Sequence, residues 1–234
     1  MESAEKYLSL LNQSDFREQC IRLVQYFSLG IKSGLKYTNM NEISKKAGRL
    51  NGNLHMVRKV LRFGMPIGVL ITLYRRLSNK NLDIIKLAKT LENLVSLVYY
   101  FSDHFLFLHK IEIIHMPQES KTVFLVYVLR NLSWVIDNGL IALINAIKVH
   151  KGNIQLQKMR DQNLHTQFSQ SKDRYRALVR KNEFLQWVMI KSIFDIPIAI
   201  YYLDKKKFHP TIIGILGTVT SIIYLLQCWK RKKL

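Results

Sequence analysis

Residues 211–229 contain no charged side chain, and the four basic residues 230–233 follow them directly. An uncharged run of this length is close to the roughly 20 residues that a helix needs to cross the hydrocarbon core of a bilayer. Backbone groups in lipid must bond within their own segment, so the run is expected to be helical. A basic flank is typical of a span that ends in the cytosol. We therefore predict a membrane-spanning helix, with a buried core helix of a soluble protein as the alternative.

A second apolar segment, residues 184–203, precedes this span and contains only two charges, Lys191 and Asp195. These two side chains stand four residues apart and are expected to pair on one helix face. Together with the basic tail, the two segments predict a C-terminal transmembrane hairpin. Residues 123–149 are also long enough to span but include Arg130 and Asp137. Because charges inside a span are costly, this segment is either a span with its charges facing a helix bundle or a helix at the membrane surface.

Small residues recur every four positions in the last apolar segment. Such spacing lets helix backbones approach closely. The predicted helix-packing residues are Gly214, Gly217, Thr218 and Ser221. We expect this face to support self-association into a homo-oligomer.

The composition combines a formal charge of +20 with 48% hydrophobic residues, and only four prolines interrupt the 234-residue chain. The charge indicates a polyanionic partner, while the apolar content is high for a nucleic-acid-binding module. Both together are typical of membrane proteins, whose charges lie outside the bilayer. The predicted fold class is all-α: a helical integral membrane protein with an N-terminal amphipathic region.

Residues 43–63 form the clearest amphipathic pattern, and no acidic residue occurs from 43 to 82, against nine Lys and Arg. One face holds the apolar residues Ile43, Ala47, Leu50, Leu54, Val57 and Leu61. The other holds the basic residues Lys45, Lys46, Arg49, Arg58, Lys59 and Arg62. This pattern fits an anionic lipid surface or a nucleic-acid backbone. The C-terminal span and the absence of nucleic-acid-binding motifs favour an anionic phospholipid membrane as partner and no nucleic acid.

The whole chain divides into four predicted regions. They are an N-terminal amphipathic, membrane-remodelling region at 1–82, a hydrophobic helical region at 83–149, a polar basic insert at 150–183 and the C-terminal membrane hairpin at 184–234. Within the first region, residues 15–37 are expected to form an amphipathic helix with Asp15 as its N-cap. The insert is expected to be a solvated, partly flexible connection that becomes helical near Asp173.

No catalytic or metal-binding pattern is present in the sequence. Cys20 and Cys228 lie at opposite ends of the chain and are expected to be reduced packing residues. The spacing of His104, His109 and His115 does not place them on one helix face. Nucleotide-binding and hydrolase motifs are also missing. We predict a protein that is not an enzyme and that uses no cofactor.

Four blocks of the chain resemble those of the peroxin-11 family, membrane proteins that proliferate peroxisomes. The similarity spans nearly the whole chain, roughly residues 16–229, and the polar insert before Asp173 departs from the family pattern. The blocks are Arg22-Leu-Val-Gln-Tyr-Phe-Ser28, Val57-Arg-Lys-Val-Leu-Arg-Phe-Gly64 with Pro66, Leu97-Val-Tyr-Tyr-Phe-Ser-Asp-His104, and a C-terminal set comprising Asp173-Arg-Tyr-Arg-Ala-Leu178, Asp195 and Gly217-Thr-Val-Thr-Ser-Ile222.

The resemblance implies a multi-pass protein of the peroxisomal membrane, or of a peroxisome-like organelle, with both termini in the cytosol. It also implies self-association and recruitment of fission machinery that includes a dynamin-related GTPase. The expected function is elongation of the membrane by the basic amphipathic helix, which promotes peroxisome proliferation and division. The alternative is a non-selective metabolite channel whose polar path would be lined by Arg130, Asp137, Lys191 and Asp195.

Overall fold

The computed structural model describes residues 2–37, 40–78, 83–117, 120–163 and 169–231. Within these ranges the chain forms seven α-helices and one 3₁₀ turn (Leu35–Tyr37), with no β-strand. The helices are α1 Glu2–Gly34, α2 Asn41–Leu61, α3 Met65–Leu77, α4 Ile84–Lys110, α5 Lys121–Asn163, α6 Ser169–Leu203 and α7 Pro210–Arg231.

Three of the described helices contain segments that are long and apolar enough to cross a membrane: Lys121–Asp161, Asp173–Leu203 and Pro210–Cys228. The last two segments form the C-terminal hairpin. The first segment lies in α5 and includes residues 123–149, for which the sequence allowed either a membrane span or a helix at the membrane surface. The predicted fold class, an all-α integral membrane protein, is confirmed. Of the basic tail, residues 232–234 lie outside the described part of the chain.

The polar insert continues the two long helices on either side of it. α5 extends to Asn163 and α6 begins at Ser169, so both arms of the insert are helical where the structure describes them. The arms are joined by a 2.6 Å hydrogen bond from Asn182 Nδ2 to Asn153 Oδ1. Of the expected flexible connection, residues 164–168 lie outside the described part of the chain. The division into four regions stays a prediction.

Asp15 is not an N-cap, because α1 begins at Glu2 and carries Asp15 in its interior. Residues before the predicted start simply continue the helix. The carboxyl group of Asp15 is largely buried, and this burial, with the nearby charge of Glu18, raises its pKa to about 6. Asp15 is therefore part of the packed surface of α1.

The buried apolar core lies where α1 meets the C-terminal hairpin. It consists of Tyr26, Leu29, Ile198, Tyr201 and Ile213. Aliphatic and aromatic side chains from three helices close the space between them, and exclusion of solvent from these surfaces stabilises the packing. The core thus attaches the N-terminal helix directly to the hairpin.

The four predicted helix-packing residues lie on or beside this contact, within one chain. A Cβ atom on Gly214 would approach the backbone of Gly30 to 2.6 Å, and one on Gly217 would lie 2.2 Å from the Tyr26 ring. The hydroxyl groups of Thr218 and Ser221 donate to the carbonyl oxygens of Gly214 and Gly217, both at 2.7 Å. The small residues therefore allow α1 and α7 to pack closely.

Gly214→Val is expected to push α1 away from α7, because the new side chain would overlap backbone atoms of Gly30. Overpacking of this kind costs about 1–3 kcal/mol. Thermal unfolding of the purified protein in detergent, followed by circular dichroism, measures the loss. The control is Gly139→Ala in α5, where an added Cβ meets no atom within 4 Å. Equal transition temperatures for wild type and Gly214→Val would contradict the close contact.

Candidate functional site

The basic amphipathic helix α2 packs antiparallel to α1. Three polar contacts define the register: Ser44 Oγ donates to the Lys32 carbonyl at 2.9 Å, and Asn51 Nδ2 donates to the Gln25 carbonyl at 2.9 Å. The third contact, Arg58 Nε to Glu18 Oε1, is 2.6 Å long. The contacts move from residue 44 to 58 along α2 while they move from 32 to 18 along α1. α2 is thus held along its length.

The apolar stripe of α2 lies along an edge of this contact and faces partly outward. Ile43, Leu50 and Val57 are between 43% and 50% exposed. Leu54 and Leu61 are half-buried, and Ala47 is buried. An unpartnered row of apolar side chains at seven-residue intervals is typical of a surface that contacts lipid or another protein. Insertion of these six residues into lipid stays a prediction.

The six predicted headgroup-binding cations fall into two groups. Lys45, Lys46 and Arg49 in the N-terminal half of α2 are exposed. The other three cations are buried in this conformation and cannot reach lipid headgroups. Arg58, Lys59 and Arg62 retain 4–6% of their surface and form buried ion pairs. The sequence pattern does not reveal this burial, because the acids that bind the three cations lie on distant segments of the chain. Headgroup binding by the six cations stays a prediction.

Glu18 on α1 binds the first of these buried cations. Besides the contact with Arg58, its Oε1 lies 3.5 Å from Arg62 Nε. Arg58 Nη1 also donates to Gln25 Oε1 at 2.7 Å. Burial alone would raise the pKa of Glu18, but the opposing charges of Arg58, Arg62 and Arg22 outweigh it and lower the pKa below its ordinary value. Glu18 therefore stays ionised.

Asp103 on α4 binds three cations from two other helices. Its carboxylate oxygens lie 2.8 Å from Arg130 Nε, 3.1 Å from Arg62 Nη1 and 3.6 Å from Lys59 Nζ. The side chain is fully buried. Burial alone would raise the pKa of Asp103, but these cations hold it below its ordinary value. Burial also lowers the pKa of Lys59 to about 8, since removing water disfavours the ammonium form.

These contacts form one buried charge network across α1, α2, α4 and α5. Its members are Glu18, Arg58, Lys59, Arg62, Asp103 and Arg130. Four cations share two carboxylates, so each carboxylate is essential to several partners. A phenol contributes as well, because Arg62 Nη1 donates to the hydroxyl of Tyr99.

A second buried ion pair joins α1 to the hairpin. Arg22 binds Asp195 and lies 3.3 Å from Thr220 Oγ1. Lys191 Nζ also contacts Asp195, at 2.8 Å, which confirms the pairing predicted from their spacing. A charged pair held by three helices is the arrangement expected for ionisable residues within a membrane.

The four residues of the channel hypothesis have separate partners. Arg130 pairs with Asp103, Lys191 pairs with Asp195, and Asp137 accepts a 2.7 Å hydrogen bond from Ser96. These contacts face helix interfaces at different places in the bundle. The conducting path stays a prediction.

The quoted sequence blocks meet one another in the structure. The block with Arg22 contacts the helix with Asp195, and the block with Arg58 and Arg62 contacts the block with Asp103. Glu18 lies outside every block and was missed. Its signal in the sequence is faint: an acid one turn before Arg22, on the same face of α1.

The fold and this network define an all-helical integral membrane protein in which a basic amphipathic helix is fastened to a bundle of spans. Among the described residues no group of three His, Cys, Asp or Glu side chains could hold a metal ion.

The chain belongs to the Peroxisomal biogenesis factor 11 (PEX11) family, whose model matches residues 4–229. This confirms the resemblance found in the sequence. Membership gives the protein a role in peroxisome biogenesis and proliferation and points to the peroxisomal membrane. The family description names no enzymatic reaction; that the chain is not an enzyme stays a prediction. Comparisons with curated proteins and with solved structures gave no match.

Asp103→Asn is expected to destabilise the protein by about 3–5 kcal/mol, because it leaves Arg62, Arg130 and Lys59 buried without their counter-charge. Chemical denaturation in detergent measures the change. The matched control is Asp173→Asn, since this carboxylate is 84% exposed and lies 4.0 Å from Arg176; exposed pairs contribute less than about 1 kcal/mol. If both variants unfolded alike, the network would be energetically unimportant.

Proposed function

We propose that the protein elongates the peroxisomal membrane by inserting the apolar stripe of α2 into the cytosolic leaflet. The observation that carries this proposal is the outward stripe of Ile43, Leu50 and Val57 beside the exposed cations of the same helix. A helix with this division lies in the interface with its apolar side chains among the acyl chains. Insertion expands one leaflet and favours positive curvature.

The exposed cations would fix the helix at the membrane surface. Each Lys or Arg near an anionic leaflet contributes about 1 kcal/mol, and Lys45, Lys46 and Arg49 are free to reach phosphates without leaving the fold. The apolar residues contribute through the hydrophobic effect. A side chain that moves from full exposure in water to full burial among the acyl chains gains about 1.5–3 kcal/mol of free energy. Since three of them begin only half-exposed, their gain is about half of this.

The packing of α2 constrains how it enters the leaflet. α1 runs antiparallel to α7, as the contacts Arg22–Thr220 and Gly30–Gly214 establish. Since α2 is antiparallel to α1, it runs alongside α1 and is therefore aligned with the predicted membrane-spanning helix α7. A helix aligned with a span cannot lie flat in one leaflet. The proposed insertion therefore requires α2 to separate from α1.

Separation would exchange protein carboxylates for lipid phosphates around the buried cations. Removing Arg58, Lys59 and Arg62 from Glu18 and Asp103 without replacement costs several kcal/mol. Phosphate groups replace the lost partners with charge-assisted hydrogen bonds. In this released state all six cations predicted from the sequence would bind headgroups. Anionic lipid thus serves as the trigger as well as the substrate of the remodelling.

Membrane elongation also requires many copies, because one helix adds little area to a leaflet. We include homo-oligomerisation in the proposal. In this conformation, however, α1 covers Gly214 and Gly217, so self-association would use another surface or follow rearrangement. Recruitment of fission machinery with a dynamin-related GTPase, and cytosolic termini, are proposed from the family resemblance.

Replacing two exposed stripe residues, Leu50→Glu and Val57→Glu, is expected to abolish tubulation of vesicles made of phosphatidylcholine with 30 mol% phosphatidylserine, since acids cannot enter the acyl region. Electron microscopy of proteoliposomes with the full chain measures tubule frequency. The control, Asn53→Glu, adds an acid at an exposed polar position of the same helix and should retain at least half of the activity. Undiminished tubulation by the double variant would eliminate the stripe as the wedge.

A disulfide between α1 and α2 tests whether separation is required. A Cβ on Gly48 would lie 3.2 Å from Lys32 Cδ, so Lys32→Cys with Gly48→Cys introduces two cysteines that face each other across the α1–α2 contact. Cys20→Ser and Cys228→Ser remove the native thiols. The oxidised protein should lose tubulation and regain it on reduction, whereas the Lys32→Cys single variant should respond to neither treatment. Full tubulation by the oxidised protein would mean that α2 acts without leaving α1.

A further inference from the structure

A basic cavity of about 390 Å³ lies between α4, α5 and α6. It is lined by the C-terminal half of α5, whereas Arg130 lies in the N-terminal half of that helix. The cavity is separate from the buried charge network and from the apolar stripe of α2. Its lining residues are Lys89, Lys148, Lys151, Gly152, Gln155, Leu178, Lys181, Asn182 and Leu185. Four of these are lysines, and none of these lining residues is acidic.

The lysines are crowded together. Lys89 and Arg76 are both close enough to Lys148 for their charges to act on its ammonium group. The acid that acts on this pair is Glu92. Like charges held together in a partly enclosed space repel. An anion between them would remove this repulsion and accept their hydrogen bonds.

Asn182 supplies a second, independent feature that indicates a ligand. Its side chain is 5% exposed, and while Nδ2 donates to Asn153, the buried Oδ1 has no hydrogen-bond partner. An unpaired buried amide oxygen is costly, and a ligand hydroxyl would satisfy it. A Cβ on Gly152 would lie 2.6 Å from this oxygen, so glycine at this position leaves room for the Asn182 amide beside the cavity.

The level of the cavity along the helices indicates where its ligand would come from. The apolar part of α5 ends at Val149, and that of α6 begins at Phe184. Lys148, Lys151 and Lys181 therefore lie where both helices would leave the hydrocarbon core, which is the depth of lipid phosphates. Basic pockets between membrane helices at this level bind phosphorylated headgroups.

We propose that this cavity is a binding site for a phosphate monoester attached to a hydroxyl-bearing ring. The lysines bind the phosphate oxygens, and Asn182 accepts a hydrogen bond from a ring hydroxyl. A phosphoinositide headgroup and a free inositol or sugar phosphate share this chemistry. The site would couple α4 to the helical arms of the polar insert, which otherwise have no assigned role.

The test uses the full chain in nanodiscs of phosphatidylcholine with 5 mol% of phosphatidylinositol 4,5-bisphosphate, or with phosphatidylserine at equal total charge. Retention of a fluorescent analogue of each lipid measures binding. A second arm adds soluble inositol 1,4,5-trisphosphate to protein in phosphatidylcholine nanodiscs and measures binding by calorimetry. The variants are Lys148→Gln with Lys181→Gln and, as a matched control in the turn between α6 and α7, Lys205→Gln with Lys206→Gln, two exposed lysines outside both proposed sites.

We expect at least tenfold preference for the phosphoinositide over phosphatidylserine, lost in the Lys148/Lys181 variant and kept in the control. Binding of the soluble phosphate alone would assign the site to a free metabolite, and binding of both would identify the headgroup as the recognised part. Equal retention of the two lipids with no binding of the soluble phosphate, or equal loss in the two double variants, would overturn the proposal. Tubulation by α2 is measured separately, so failure of one proposal leaves the other standing.

Discussion

Burial of charge is the constraint on which this structure depends. Asp103 is completely buried and neutralises cations from α2 and α5. Asp195 neutralises Arg22 of α1 and Lys191 of its own helix, α6. A buried ion without its partner costs several kcal/mol, so the helices that carry these groups are positioned relative to one another. Apolar packing around Tyr26 then completes the contact between α1 and the hairpin. Charge selects the partners, and hydrophobic burial supplies much of the stability.

The proposed function gives the amphipathic helix a second environment besides its place against the bundle. Against the bundle, Arg58 and Arg62 bind Glu18 and Asp103; at a membrane, phosphates would take the place of these carboxylates. In the proposed exchange, phosphates offset part of the cost of separating the cations from Glu18 and Asp103. The proposal thereby makes exposure of the apolar stripe depend on the amount of anionic lipid.

Sequence reasoning identified the helices and the amphipathic element but misjudged which of its cations are exposed. In the sequence both Lys45 and Arg58 are basic residues of one amphipathic helix, although Arg58 stands four residues after Leu54 and so lies beside the apolar stripe, not opposite it. Its burial also depends on Glu18 of α1, which lies over the second half of α2 and is separated from Arg58 by 40 residues. Lys151 and Lys181 belong to the insert that the sequence predicts to be solvated, and their convergence with Lys89 and Lys148 depends on how three helices pack.

The sequence by itself determined the helical class, the membrane association and the family. Local hydropathy and its 3.6-residue period record which segments must leave water, and those properties belong to each segment alone. Only the tertiary structure decided that α1 occupies the small-residue face of α7, that three basic residues of α2 are buried, and that four lysines enclose a cavity. These outcomes depend on pairs of residues far apart in the chain, and burial changes the free energy of a charge according to the partner it meets.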